Sequence, residues 1–379
     1  MAYEQLKQEL ITYSKKIGID KIGFTSVDEF SELKSRLKQQ QELGYQSGFE
    51  KGSIDERTEP VRLMPQAQSI IAIALAYPSK MKKPPKSTKE ERRGVFARVS
   101  WGQDYHHVLR AKLEQIGEFL EKKMDGFEYK SMVDTGELSD RAVAERAGIG
   151  FSGKNCAIIT PEFGSYVYLG EMITNIPFTP DEPIDDGCGT CTKCIDACPT
   201  GALVQGGQLN AQKCLAFLTQ TKDFLPDEYR GKLGNTLYGF DNCQVVCPKN
   251  KGKDYHFHPE MEPDPEIAKP KLIPLLSMSN REFKEKFGNV SGSWRGKKPI
   301  QRNAILALAH YKDEKAIPEL IRLMQQDPRP VIRGTAAWAL GKIGTATAFE
   351  AIKTAKQKEK DEAVLEEMDK GLDFSLINS

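Results

Sequence analysis

The sequence predicts a mixed α/β (α+β) domain, a ferredoxin-like two-cluster insert and an all-α, HEAT-like repeat domain at the C-terminus. Three observations predict it: strand-like runs alternating with amphipathic helices in the first half, seven cysteines crowded between Cys188 and Cys247, and an internal helical repeat from residue 299 onward. At 379 residues the chain is long for one core, and roughly 150 residues per domain gives two or three. The expected boundaries are 1–180, 181–255 and 256–379.

In chain order, EQLKQELITYSKKIG carries apolar residues at helical spacing. KIGFTSV (21–27) and SIIAIALAY (69–77) are β-branched and aromatic runs bounded by Gly or Pro, and so are YKSMVDT (129–135), CAIIT (156–160) and SYVYLGEMIT (165–174). Such runs read as strands. Between them, the segment opening at Tyr105 repeats Val108, Leu109, Leu113, Ile116, Phe119 and Leu120 at helical spacing. Helices between strands favour a layered sandwich. Lys80 to Arg98 holds eight Lys/Arg, two Glu and two Pro, and is expected as an exposed loop. In the tail, aligning 299–324 with 331–356 at a shift of 32 matches Ile300/Ile332, Ala304/Ala336, Ala307/Ala339, Leu308/Leu340 and Ala316/Ala348. That is a pair of helical hairpins, too few for a free-standing solenoid, so they must pack on the rest of the chain.

Composition excludes several function classes. Lys+Arg number 54 against 53 Asp+Glu, a net charge of +1, so any nucleic-acid surface must be a local patch. The longest apolar run, Ile70 to Tyr77, has eight residues, far from the roughly 20 of a spanning helix, and no membrane association is expected. MAYEQLKQEL lacks the charged and apolar regions of a secretory signal. The expected compartment is the cytoplasm, where thiols stay reduced, and clustered cysteines there read as metal ligands.

Cys188-x2-Cys191-x2-Cys194-x3-Cys198-Pro199 is the bacterial ferredoxin spacing, in which the fourth cysteine reaches the other cluster. Structural zinc prefers two ligand pairs separated by a longer spacer, which this staircase does not supply. Cys214 and Cys243-x3-Cys247-Pro248 provide the second half. Crossing over, one [4Fe-4S] cluster takes Cys188, Cys191, Cys194 and Cys247, and the second takes Cys198, Cys214 and Cys243. The second set is one thiolate short. Phe240 stands three residues before Cys243, and Asp241 is an oxygen donor one residue out of register. The second cluster is therefore expected as [3Fe-4S] or as [4Fe-4S] with an exogenous ligand. Cys156, outside the cluster, is expected as a buried structural thiol.

VDTG (133–136), RAGIGF (146–151), the GKN turn (153–155) and GSYVYLGE (164–171), with YHHVL (105–109) and DNCQVVCPKN (241–250), resemble the cobalamin-dependent epoxyqueuosine reductases, relatives of the reductive dehalogenases. The resemblance covers nearly the whole chain and departs at Phe240, where the family pattern has cysteine. It implies a cobalamin-binding domain over 1–180, electrons from an external donor passing through the clusters to cobalamin, and reduction of epoxyqueuosine at the wobble base of tRNA to the cyclopentene. The resemblance also implies a cobalamin pocket of Arg57, Ala97, Asp134, Gly153, Lys154, Asn155, Ile158, Leu169, Phe240 and Asp241.

From chemistry alone, Asp134 is as well placed to cap the DTG turn as to donate a proton. The resemblance implies the donor role, for which burial would have to raise its pKa. Asp104-Tyr-His106 imitates the start of the Asp-x-His-x-x-Gly cobalt-ligating motif, but Leu109 stands where its glycine belongs. The cofactor is expected base-off, with no histidine ligand, and His106 and His107 as packing or surface residues.

The stretch 279–303 sets seven cationic residues, Lys284 and Lys286 among them, against Glu282 and Glu285, a net +5. Its candidate tRNA contacts are Arg281, Arg295, Lys297, Lys298 and Arg302, with Trp294 as a stacking platform for an unpaired base. Two other readings compete: an electron-transfer protein serving a docked partner, and a small-molecule dehalogenase. A monomer satisfies all three.

Overall fold

Four strands, β1 (Lys21–Thr25), β2 (Ser69–Ala76), β3 (Tyr129–Met132) and β4 (Val167–Thr174), form one sheet in the order β1-β2-β4-β3. Every pairing is antiparallel, which makes this part α+β. β2 is central and all eight of its residues are buried, which is why its run is apolar without alternation. On one face lies the helix α2 (Tyr105–Glu121), approaching closely at Gly170, where a Cβ would stand 3.1 Å from Leu109. Beside it packs α1 (Ala2–Lys16), with Tyr13 stacked on Phe119 at 4.4 Å. The opposite face carries α3 (Asp140–Arg146), whose Val143 and Ala144 pack with Ile70, Ala72, Ala74 and Ile173.

The computed structural model describes residues 2–377, and the chain divides into two compact units. The first gathers residues 1–80, 103–214 and 241–262, and the second 81–102, 215–240 and 263–379. Compactness thus divides the chain differently from the expected boundaries: Leu215–Phe240, inside the cysteine-rich stretch, belongs to the second unit. Among the described residues no helix is long and apolar enough to cross a membrane.

Two expectations are corrected. Of CAIIT only Ile158–Ile159 is a strand, paired with Phe151–Ser152, because Cys156 takes φ +63 in the turn before it. Nor is Lys80–Arg98 an exposed loop throughout. Its end is buried, with Phe96 1% exposed, and Val95–Phe96 pairs in parallel with Thr236–Tyr238. The charged residues that dominate the count mask the Gly-Val-Phe-Ala segment. Gly94 is required there, since a Cβ would come within 2.5 Å of Leu237.

The five longest helices described in the second unit are α4 (Lys297–Tyr311), α5 (Ile317–Gln326), α6 (Pro330–Ile343), α7 (Ala346–Lys356) and α8 (Glu362–Ile377). Every repeat-matched pair is buried, from Ile300 and Ile332 to Ala316 and Ala348, so the repeat is the core itself. Gly341 lets α6 meet α8, since a Cβ would sit 2.1 Å from the Gly371 carbonyl oxygen. Arg230 and Glu367, both buried, form a two-pronged ion pair in the same unit.

Candidate redox and substrate site

All seven clustered cysteines lie in the first unit. Two matching one-turn helices, Lys193–Asp196 and Asn242–Val245, each carry a cysteine (Cys194, Cys243) and lead to a Cys-Pro step. Cys188, Cys191, Cys194 and Cys247 line a single cavity of about 330 Å³, the set expected for the first cluster. Around Cys243 stand Cys214, Cys194, Asp241 and Cys198; burial first, then these neighbours, push its thiol up to about 12. All are free thiols. So many soft acidic groups in one place are disfavoured as anions unless a cation joins them, and the donor set fits iron–sulfur clusters. Phe240 is no part of this crowd: its side chain packs on the core of the second unit. Cys156 is half-buried rather than buried, with its thiol raised by burial and its carbonyl accepting from Arg141.

Asp134 follows β3 on a turn that leaves the sheet. Its φ is +54, a left-handed conformation that Asp tolerates better than most residues. The side chain is 62% exposed, so the expected raising by burial fails. Instead the His106 hydrogen bond holds the Asp134 carboxyl below its ordinary value, with burial opposing and Tyr105 and Arg141 assisting. His106 is the direct partner of Asp134. Beyond the packing or surface role its sequence suggests, its Nδ1 meets Asp104 Oδ1 at 2.7 Å and its Nε2 meets Asp134 Oδ2 at 3.3 Å. Burial alone would lower the imidazole, but the bonds to Asp104 and Asp134 outweigh it and bring it to about 9. At neutral pH His106 is an imidazolium donating from both nitrogens. The Asp104 carboxylate also caps α2 through the His106 amide. The sequence signal was this Asp-x-His at a helix start, set aside as a false cobalt motif.

The expected pocket residues fall in both units. Arg57, on the short helix Ile54–Thr58, has its pKa lowered by burial, with Glu50 and Arg141 as charged neighbours. Ile158 is buried against the α3 face of the sheet and Leu169 is partly buried there. The GKN turn serves the cysteine loops: Lys154 donates to the Gly189 carbonyl at 2.6 Å and Asn155 to the Cys243 carbonyl at 3.4 Å. Gly153 is a packing glycine, because a Cβ would come within 2.5 Å of Ile159. Ala97 and Phe240 belong to the second unit, where the Ala97 amide donates to Tyr238 and its Cβ fills the space a Gly239 Cβ would need.

The basic stretch is only partly a surface. Arg281 is 87% exposed beside Glu285. Trp294 is 54% exposed, its indole N–H donating to Gln220, with the Arg295 guanidinium 5.1 Å from its ring. Lys297 donates to the Met278 carbonyl and Lys298 is half-buried. Arg302 is corrected: it is fully buried and donates to the carbonyls of Leu218, Thr221 and Asp223 and to Asn303 Oδ1. The helical period that places it on α4 turns it inward.

Three family descriptions match along the chain: "Epoxyqueuosine reductase QueG, DUF1730" over residues 57–135, "4Fe-4S double cluster binding domain" over 187–250 and "HEAT repeats" over 296–368. An epoxyqueuosine reductase of Bacillus cereus is 69% identical over 374 residues, spanning 99% of this chain and 98% of its own. The chain belongs to the epoxyqueuosine reductase family. It is an oxidoreductase of that family, and its relative from Bacillus subtilis is also 69% identical, over 98% of this chain and 96% of its own. Among solved structures, an epoxyqueuosine reductase with an epoxyqueuosine-modified tRNA-Tyr stem loop superposes at TM-score 0.97 with 68% identity, covering 99% of this chain and all of that one. A structure of the B. subtilis reductase with its Asp134 catalytic loop swung out of the active site gives 0.96 at 68% identity, covering 98% and 99%.

Proposed function

We propose that this reductase converts epoxyqueuosine to queuosine at the wobble position of tRNA, with electrons from an external donor passing through its clusters to base-off cobalamin and Asp134 as the proton donor. Removing an epoxide oxygen as water and leaving an alkene consumes two electrons and two protons. When bound, cobalamin and the clusters supply the electrons beside the substrate. The observation that carries the reading is the exposed Asp134 carboxyl bonded to His106 at the start of α2, in a family whose B. subtilis member has a catalytic loop bearing Asp134. Base-off binding is supported by His106, whose two ring nitrogens are both engaged by carboxylates.

Asp134 alone would be a poor acid, since its carboxyl is held low. The pair resolves this: a proton kept on His106 Nε2 passes to Asp134 Oδ2, and from there to the departing oxygen, so the two titrate as one acid. The second proton reaches the oxygen from solvent water, through the same exposed carboxyl or directly. His106 stays protonated below about 9 and loses its proton as pH rises through that value. Turnover should therefore fall on an alkaline limb near pH 9, and His106→Gln should lower kcat and abolish that limb. An unchanged limb in the variant would refute the relay.

We further assign cobalamin binding to 1–180, the clusters to 181–255 and tRNA contact to 256–379. The second cluster, with Cys198, Cys214 and Cys243, is a three-iron cluster or a cubane completed by an exogenous ligand, and iron counting separates these. On the tRNA side, Arg281, Trp294, Arg295 and Lys298 present the charge and ring that an unpaired anticodon offers its phosphates and bases to. Arg281→Glu with Lys298→Glu should weaken tRNA binding and flatten its salt dependence by about 0.7 per lost phosphate contact. Binding with an unaltered salt slope would exclude this patch.

A further inference from the structure

We propose that Asp140 and Glu171 are positioning residues: a carboxyl pair sharing one proton that latches the Asp134 turn in its reacting place. The proposal rests on Asp134 being the proton donor. Glu171 occupies β4 opposite Met132 of β3 and Ala72 of β2, and two-residue alternation puts it on the sheet face shared with Leu169 and Ile173. It is 1% exposed, and no N–H group or cation reaches either carboxyl oxygen, which leaves the Asp140 carboxyl as its neighbour. A lone carboxylate is not stable in such a place.

The titratable group facing Glu171 is Asp140, the first residue of α3, with Asp134 beyond it. Asp140 Oδ2 in turn accepts the backbone N–H of Asp134 at 2.7 Å. With the Thr135 N–H donating to the Val133 carbonyl across the residue, this bond holds the turn in which Asp134 takes φ +54. The remaining groups around the turn are Arg141 from α3 and Asp104, Tyr105 and His106 from the start of α2. Burial and the neighbouring carboxyls raise Glu171 well above its ordinary value, and burial brings Asp140 to about 6. Of the two, Glu171, buried with no cation or N–H bonded to it, is the one that keeps a proton, while Asp140 carries the charge that accepts the Asp134 N–H. The Glu171 hydroxyl is the donor available to the ionised Asp140, and Asp140 holds the turn through a charge-assisted bond. As pH falls through about 6, Asp140 takes up a proton and the latch weakens.

The test uses the full chain with its cofactors. Deuterium exchange of the Asp134 amide reads the latch without turnover, and kcat and KM against epoxyqueuosine tRNA are measured from pH 5 to 8. Glu171→Gln keeps a neutral donor and should match the parent. Glu171→Leu should speed exchange and lower kcat, each by roughly tenfold or more, with KM little changed. It should also move the acid limb above pH 6, because ionised Asp140 has lost its donor. Asp140→Asn, which cannot gain charge, should speed exchange and erase the acid limb. Exchange in Glu171→Leu and Asp140→Asn equal to the parent would overturn the latch, as would faster exchange with kcat unaltered. An active Asp134→Asn would instead overturn the donor reading, leaving the exchange result to stand by itself.

Discussion

Asp134→Asn will turn over epoxyqueuosine tRNA roughly 10² to 10⁴ times more slowly than the parent, while iron content and tRNA affinity stay as they were. The choice of Asn matters. Asp134 sits at φ +54, a region that Asn adopts readily and Ala does not, so Asn leaves the turn and its amide bond to Asp140 in place. What it removes is the oxygen that carries a proton. Asp134→Ala would add backbone strain to the chemical loss and confuse the two. Rapid turnover by the Asn variant would end the donor role, and single-turnover rates separate slow chemistry from slow tRNA release.

Arg302→Ala will unfold the second unit at markedly lower denaturant, by about 3–5 kcal/mol on the scale of breaking a buried charged network. The guanidinium is fully buried and satisfies three carbonyl oxygens and the Asn303 side chain, so its loss strands those acceptors in a dry core. Lys298→Glu, four residues earlier on the same helix, should leave the midpoint nearly unmoved and act on tRNA binding alone. An Arg302→Ala protein with parental stability and weakened tRNA binding would reverse this assignment and return Arg302 to the surface patch.

These two residues show how far the sequence could be read. The cysteine staircase was legible because covalent spacing decides it: a thiolate every third residue meets cluster corners in any fold, and the structure brings Cys188, Cys191, Cys194 and Cys247 to one cavity. The helical repeat was equally open, since Ile300, Ala304 and Leu308 recur with the period that buries them. Arg302 was not, because charge composition says nothing about which side of α4 an Arg takes. Asp134 was found, but the direction of its pKa was not, as that depends on His106, twenty-eight residues away on the start of another helix. Glu171 was hidden within an apolar strand pattern. Nothing in VYLGEMIT marks its carboxyl as facing Asp140.

The interleaving of the two units has a consequence for how the chain is made. Residues 81–102 leave the ribosome early, yet their partners, 215–240 and 263–379, emerge more than a hundred residues later. Gly94 and Phe96 must therefore wait, exposed, for Leu237 and Leu272, which they pack against, while the first unit closes once residue 262 has emerged. Pairings between segments so distant in sequence form slowly, and until then the apolar Val95–Phe96 strand stands next to the charged run Lys80–Arg93. For the same reason, cutting the gene at residue 255 yields a helical fragment lacking two strands of its own unit, so separate expression of the repeat requires a permuted chain rather than a truncated one.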